Sequence, residues 1–120
     1  MALYDELGGE AAISAALDRF YPKILADPLM SPYFKNVDMV HLKRMAETFL
    51  AMAFGGPNAY TGPGMRAIHA GPRRQGMNDE VFDRFMFHFG GTLQELGVPA
   101  DKLAQVGAIA EGARADVLGR

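Results

Sequence analysis

FGGPNAYTGPGMRAIH, residues 54–69, is the stretch that decides how this chain is organised. Its glycine-glycine-proline start ends the helix predicted before it, because glycine and proline both destabilise a helix interior. The glycines and prolines of 57–64 exclude regular structure, and a short helix is predicted around 65–70. The stretch therefore places His69 on a short helix between irregular joints. The rest of the sequence has to decide whether this histidine is structural or a ligand.

Composition bounds the class of protein. The chain has 120 residues, 49% hydrophobic and 22% charged, which is typical of one globular domain over residues 1–120. A formal net charge of −2 argues against nucleic acid or an anionic membrane as partner. The absence of cysteine excludes disulfides, iron–sulfur clusters and thiolate zinc sites. Because the chain shows no basic apolar leader and no bilayer-length apolar run, a cytoplasmic location is expected.

Helical periodicity dominates the sequence. Apolar residues recur at threes and fours, and no alternating strand pattern persists, so an all-α fold is expected. Pro22 is expected to bend or interrupt the first long helix, and Asn78 is predicted as an N-cap. A loop is expected over 27–38 and a turn over 71–76. The helices are predicted over residues 10–26, 39–54, 65–70, 78–97 and 99–120.

The three histidines differ in their surroundings. His88 lies between two phenylalanines on a long helix, and His41 lies about 90° from the apolar face of its helix. No carboxylate or second histidine stands at ligand spacing near His69, which argues against a zinc or di-iron site. A single neutral imidazole is typical of haem, because the porphyrin supplies the other four nitrogens. A purely structural histidine at a helix end is the alternative.

A haem pocket also needs an apolar wall with at most one polar group. One stripe of the helix 39–54 would make such a wall: Leu42, Met45, Ala46 and Phe49. Tyr21, among apolar residues on the preceding helix, would supply the hydroxyl. The alternative for Tyr21 is a core tyrosine bonded to a backbone carbonyl. The eight methionines and eight phenylalanines suit such a pocket, or an ordinary helical core.

These features together resemble the truncated haemoglobins of group I over nearly the whole chain. The two diglycine joints, the Phe20-Tyr21 pair and Phe34 are specific in combination. The resemblance implies a two-over-two helical sandwich that encloses haem b. It also implies that His69 is the proximal ligand, that Tyr21 donates to bound oxygen, and that Phe34 stacks on the porphyrin. The stretches that carry the resemblance are LYDELGG (3–9), RFYPKILADPLMSPYFKNVDM (19–39), FGGPNAYTGPGMRAIH (54–69) and LGVP (96–99).

On this basis we predict a set of residues that contact the cofactor. They are Phe34, Leu42, Met45, Ala46, Phe49, Tyr60, Arg66, Ile68, His69, Phe82 and Met86. The candidate partners of the haem propionates are Arg66 and Tyr60, which belong to this set, and Lys43, which does not. The alternative for each of these three is a solvated surface group.

The distal helix departs from the family pattern. Leu42 and Ala46 are apolar where group I members usually have glutamine or another polar residue, so Tyr21 is expected to act alone or with water. Met45 stands where some relatives place a histidine that closes onto the iron. Its thioether is either a packing group at the porphyrin edge or a sixth ligand. His41 is the second candidate for a sixth ligand.

The sequence therefore predicts a haem protein that reversibly binds O₂, and also NO and CO. One alternative is NO dioxygenation, which converts O₂ and NO to nitrate and needs an external reductase as partner. Weak peroxidase activity is a related expectation. Another alternative is a six-coordinate protein for electron transfer or redox sensing. A cofactor-free helical domain is the remaining one. A monomer or weak dimer is expected.

Overall fold

The computed structural model describes residues 2–60 and 64–120 of the chain. The regular structure of these residues is entirely helical. A 3₁₀ turn, Ser31–Phe34, lies between the second and third α-helices. The α-helices are α1 Leu3–Leu7, α2 Gly9–Ala26, α3 Met39–Ala53, α4 Met65–Ile68, α5 Ala70–Arg74, α6 Asp79–Glu95 and α7 Ala100–Leu118.

The long helices pack in two pairs around one core. α2 packs against α3, α6 packs against α7, and α2 and α6 join the pairs. Phe20 of α2 is 1% exposed, and its ring meets Phe85 and Phe89 of α6 edge-on at centroid distances of 4.8 and 5.4 Å. Burying a phenylalanine of this kind contributes about 1.5–3 kcal/mol. In the part of the chain that is described, no helix combines the length and hydropathy required to cross a membrane.

The diglycine joint after α3 is fixed by α1. The backbone N–H of Tyr4 donates to the carbonyl of Phe54 at 2.9 Å, which holds α1 against the end of α3. A Cβ on Gly56 would lie 2.5 Å from Cγ of Tyr4, so only glycine fits there. Gly55 has φ +83°, which other residues rarely adopt. The joint therefore ends α3 through conformation and close packing together.

The four long helices confirm the predicted pattern, with boundaries shifted by one or two residues. The side chain of Asn78 accepts from the N–H of Val81, as expected of an N-cap. The irregular segment predicted over 57–64 is confirmed at 57–60 and 64, while 61–63 lie outside the described residues.

Three local expectations were wrong or incomplete. α2 continues through Pro22, because Phe20 and Ile24 on either side of it are buried in the core and hold the helix in place. The turn expected over 71–76 is helical at Ala70–Arg74, since Pro72 lies in the first turn, where its missing N–H has no helical partner. The loop over 27–38 includes the 3₁₀ turn.

Candidate functional site

His69 lies at the junction of α4 and α5, where it ends one helix and begins the next. Its Nδ1 lies 2.8 Å from the carbonyl oxygen of Met65. A carbonyl only accepts, so Nδ1 carries the proton and Nε2 of the neutral ring keeps its lone pair. Burial lowers the pKa of His69 below its usual value, which favours the neutral ring. The neutral ring therefore has the tautomer that a metal ligand at Nε2 needs.

Tyr21 lies on α2, half-buried beside Phe20, with the two ring centroids 5.5 Å apart. Burial, together with the smaller effect of the nearby Glu47 carboxylate, raises the pKa of Tyr21 to about 12. The phenol therefore stays protonated at neutral pH and can donate a hydrogen bond. Sequence reasoning had not identified Glu47 as a neighbour, because the contact joins two helices.

The predicted wall on α3 is apolar but only partly covered. No residue of this helix is fully buried. Ala46 packs against the buried core, whereas Leu42, Met45 and Phe49 are half-buried. The ring of Phe49 meets that of Tyr60 nearly perpendicularly, with centroids 5.3 Å apart. α3 therefore has partly exposed apolar side chains in addition to those that pack against the core.

The remaining predicted contacts differ in how far they are buried. Phe34 and Met86 pack against the same core as Tyr21 and Ala46. Ile68, next to His69, is 39% exposed. Phe82 is buried beneath α7, with the guanidinium carbon of Arg114 4.4 Å from its ring centroid.

The candidate propionate partners are engaged elsewhere in this structure. Nζ of Lys43 lies 2.7 Å from Oδ1 of Asp18 and 3.6 Å from Oε1 of Glu47, so Lys43 links α3 to α2. Nη2 of Arg66 donates to the carbonyl oxygen of Arg120 at 2.5 Å. The propionate roles of Lys43, Arg66 and Tyr60 stay predictions.

His88 has a structural partner that the sequence did not reveal. Its Nε2 lies 2.7 Å from Oδ2 of Asp27, which also accepts from Nη1 of Arg84 at 2.8 Å. Asp27 is 7% exposed. The hydrogen bond to His88, with further ones from the Leu29 N–H and Arg84, holds the pKa of Asp27 down at about 2. These contacts tie the end of α2 to α6.

Two cavities lie away from the predicted ligands. One of about 550 Å³ lies between α2 and α6 and includes the ion pairs Lys23–Glu95 and Arg84–Asp27 in its wall. The other, of about 180 Å³, is apolar and is lined in part by Leu50 of α3. Neither is lined by His69 or Tyr21. The predicted site therefore does not coincide with either of these cavities.

The donor set fits haem. Within the described residues, no group of three or more histidine, cysteine or acidic side chains could hold a metal ion. Haem iron needs only one strong protein ligand, and His69 offers a neutral imidazole with Nε2 available. The apolar side chains of α3 and the protonated phenol of Tyr21 are compatible with such a cofactor.

A family model and individual relatives of this chain indicate the same protein family. The family model described as bacterial-like globin matches residues 2–115. A group 1 truncated hemoglobin of Tetrahymena thermophila is 39% identical over 118 residues, which are 98% of this chain and 95% of that protein. The group 1 truncated hemoglobin GlbN of a Synechocystis species is 40% identical over 109 residues, 90% of this chain and 88% of that protein.

Solved structures of similar proteins superpose on this chain over its full length. The 2/2 hemoglobin of a Synechococcus species, in the cyanomet state and with covalently attached heme, superposes with a TM-score of 0.95 at 38% identity and covers 100% of both chains. The Fe(III) form of the truncated hemoglobin of Tetrahymena pyriformis superposes with a TM-score of 0.92 at 38% identity, again over 100% of both chains. These superpositions confirm the two-over-two helical sandwich predicted from the sequence.

Proposed function

The chain belongs to the bacterial-like globin family and, by its relatives, to the group 1 truncated haemoglobins, and we propose that it binds O₂ reversibly. Its cofactor is haem, and we propose haem b, with NO and CO as further ligands. Haem, when bound, supplies an iron with an axial position open to a diatomic gas. The residues of this chain hold the cofactor and set the polarity around the bound gas.

One observation carries the proposal: the side chain of His69 is arranged for Nε2 ligation. The carbonyl of Met65 holds the proton on Nδ1 and thereby fixes both the tautomer and the direction of the ring. Burial keeps the imidazole neutral. We therefore propose that His69 is the proximal ligand.

Tyr21 is the proposed distal donor. Its pKa of about 12 keeps the hydroxyl protonated, so it can stabilise negative charge on bound O₂ by a hydrogen bond. Leu42 and Ala46 add no second donor. The apolar side chains of α3 limit the entry of water and protons to the pocket.

Met45 is proposed to pack against the cofactor edge. A thioether at this position is half-buried on the same face as Leu42. We therefore expect an open sixth position in the ferrous protein. Substitution can test each of the cofactor contacts proposed for Phe34, Phe49, Tyr60, Ile68, Phe82 and Met86, whereas Arg66 already donates to the carbonyl oxygen of Arg120.

Absorption spectra of the purified protein test the proposal directly. The ferric, dithionite-reduced and CO-saturated reduced forms should show a Soret band, a five-coordinate ferrous spectrum and a clean shift with CO. Absence of a Soret band after reconstitution with haem would overturn the proposal. Sharp six-coordinate ferrous bands would instead favour a redox role, and their loss in Met45→Leu would identify the sixth ligand.

Turnover separates gas binding from NO dioxygenation. A single rapid reaction of NO with the oxygenated protein is expected of either function. Sustained nitrate formation from NO and O₂ with an added flavin reductase, at a rate above that of haem alone, would establish the enzyme. The expected result for an O₂-binding protein is one equivalent of nitrate per haem. A cytoplasmic location stays a prediction.

A further inference from the structure

The helices on either side of His69 are too short to be stable alone. α4 has four residues and α5 has five, whereas isolated helices are marginal below about 12–15 residues. Two arginines connect this segment to the C-terminal end of α7. One precedes His69 by three residues and the other follows it by four.

Arg66, on the N-terminal side, reaches the last residues of the chain. Its Nη2 donates to the carbonyl oxygen of Arg120 at 2.5 Å and lies 3.5 Å from Oδ1 of Asp116. Asp116 lies in the last turn of α7, and Arg120 follows the end of that helix. α4 is therefore held there by a charge-assisted hydrogen bond and an ion pair.

Arg73, on the C-terminal side, caps the last turn of α7. Its Nη1 donates to the carbonyl oxygens of Asp116 and Val117, at 3.2 and 3.1 Å. Carbonyls in the last turn of a helix lack helical partners, and a cation there also meets the negative end of the helix dipole. Gly119 has φ +74°, and a Cβ on it would lie 2.8 Å from Nε of Arg73. The close approach of the arginine thus depends on a glycine.

The end of α7 is itself fixed to α6. Arg114 pairs with Asp79 at 2.9 Å and with Asp83 at 2.5 Å, and Arg120 also pairs with Asp79. The two arginines of the His69 segment are therefore attached to an anchored helix end. The backbone continues the connection, since the N–H of Arg73 donates to the carbonyl of His69 at 2.9 Å.

We propose that Arg66 and Arg73 are positioning residues that set the orientation of the His69 imidazole by clamping its segment to the end of α7. This inference rests on the proposed role of His69 as proximal ligand. The two arginines act through the backbone of α4 and α5. We call Arg66, Arg73 and their α7 partners the arginine clamp.

The test compares Arg66→Met, Arg73→Met and the double variant with Arg74→Met, an exposed neighbour on α5. Methionine keeps much of the side-chain length and removes the charge. In the haem-free protein, amide hydrogen exchange of residues 65–75 should become faster in the double variant. In the ferrous haem protein, the iron–histidine stretching frequency should shift. Haem transfer to an acceptor apoprotein should be about fivefold faster, with Arg74→Met unchanged.

A merely stabilising pair of arginines would not move the iron–histidine stretch, so an unchanged frequency in a folded double variant overturns the inference. Arg73→Lys, which keeps the charge, should restore part of the frequency. If the double variant fails to fold, the single variants decide, because each removes one arm of the clamp. A normal spectrum and haem content in His69→Ala would instead overturn the proposed function, independently of the clamp.

Discussion

The two sides of the proposed pocket are held by different kinds of force. The distal side uses two long helices, α2 of 18 residues and α3 of 15, and its donor Tyr21 packs against the buried core. The proximal side uses α4 and α5, which have four and five residues and are held to α7 by arginines. The distal geometry is therefore set by packing, and the proximal geometry by charge-assisted hydrogen bonds.

This difference has a functional consequence. Packed cores resist small displacements, whereas exposed ion pairs are screened by salt and contribute little individually. Gas affinity, for which Tyr21 is the proposed hydrogen-bond donor, is expected to be insensitive to ionic strength. Cofactor retention, for which His69 is the proposed ligand, is expected to be more sensitive to ionic strength.

Removing the proximal ligand should produce the largest effect. We expect His69→Ala to abolish stable haem retention, because it removes the proposed proximal nitrogen, Nε2. The ratio of haem to protein after purification, from the pyridine haemochromogen, measures this. His41→Ala, which removes an exposed imidazole at the start of α3, is the control and should keep a full complement. Normal retention in His69→Ala would remove this residue from the proximal position.

The distal donor should come next. Tyr21→Phe loses one hydrogen bond to a charged acceptor, about 1.5–3 kcal/mol, so the O₂ dissociation rate should rise about ten- to a hundredfold. Stopped-flow replacement of O₂ by CO measures the rate. Tyr33→Phe, which alters another half-buried tyrosine near the core, should leave it unchanged. Equal rates for Tyr21→Phe and the parent protein would place the distal donor elsewhere.

A second donor on α3 should have a smaller and opposite effect. Ala46→Gln adds an amide where the wall is apolar, and a neutral hydrogen bond of about 0.5–1.5 kcal/mol should slow O₂ release about two- to tenfold. The same stopped-flow assay applies, with Ala104→Gln on the exposed face of α7 as control. Unchanged or faster release would show that residue 46 does not point at the bound gas.

The smallest effect concerns the proton of Tyr21. Its pKa is raised from 10.0 to about 12, so the stability associated with the buried neutral phenol is fully present below pH 10 and is lost as pH rises through about 12. Glu47→Gln should lower the pKa, because the Glu47 carboxylate disfavours the tyrosinate. Ring-carbon NMR of labelled tyrosine, assigned with Tyr21→Phe, follows the titration. Glu80→Gln is the control, and an unmoved midpoint in Glu47→Gln would show that burial alone sets this pKa.

Much of the fold was readable in the sequence because its signals are local. Apolar periodicity gave α2, α3, α6 and α7, and the side chain of Asn78 caps α6 as expected. The helix at Ala70–Arg74 was missed because Gly71-Pro72 has the composition of a turn. Proline is tolerated in the first turn of a helix. That Pro72 lies in a first turn is shown only by the positions of the residues before it.

The residue types of the candidate site could be predicted from the sequence, but the contacts that hold these residues in place could not. His69 stood out because no other ligand accompanies it, and the resemblance supplied the roles of Tyr21 and Phe34. The sequence did not reveal that Lys43, a candidate propionate partner, bridges Asp18 and Glu47. The spacing of Lys43 and Glu47 on one helix face was the single local signal of that contact.

The sequence by itself determined an all-helical chain, the glycine joints, and the residue types of a haem pocket, because each depends on neighbours within a few positions. Tertiary structure alone decided that Asp27 meets His88, 61 residues away, and that Arg73 meets Asp116, 43 residues away. Such contacts use polar side chains and backbone carbonyls that occur in every soluble protein, so no local pattern distinguishes them. Their partners are chosen only when packing of the apolar faces brings the helices together.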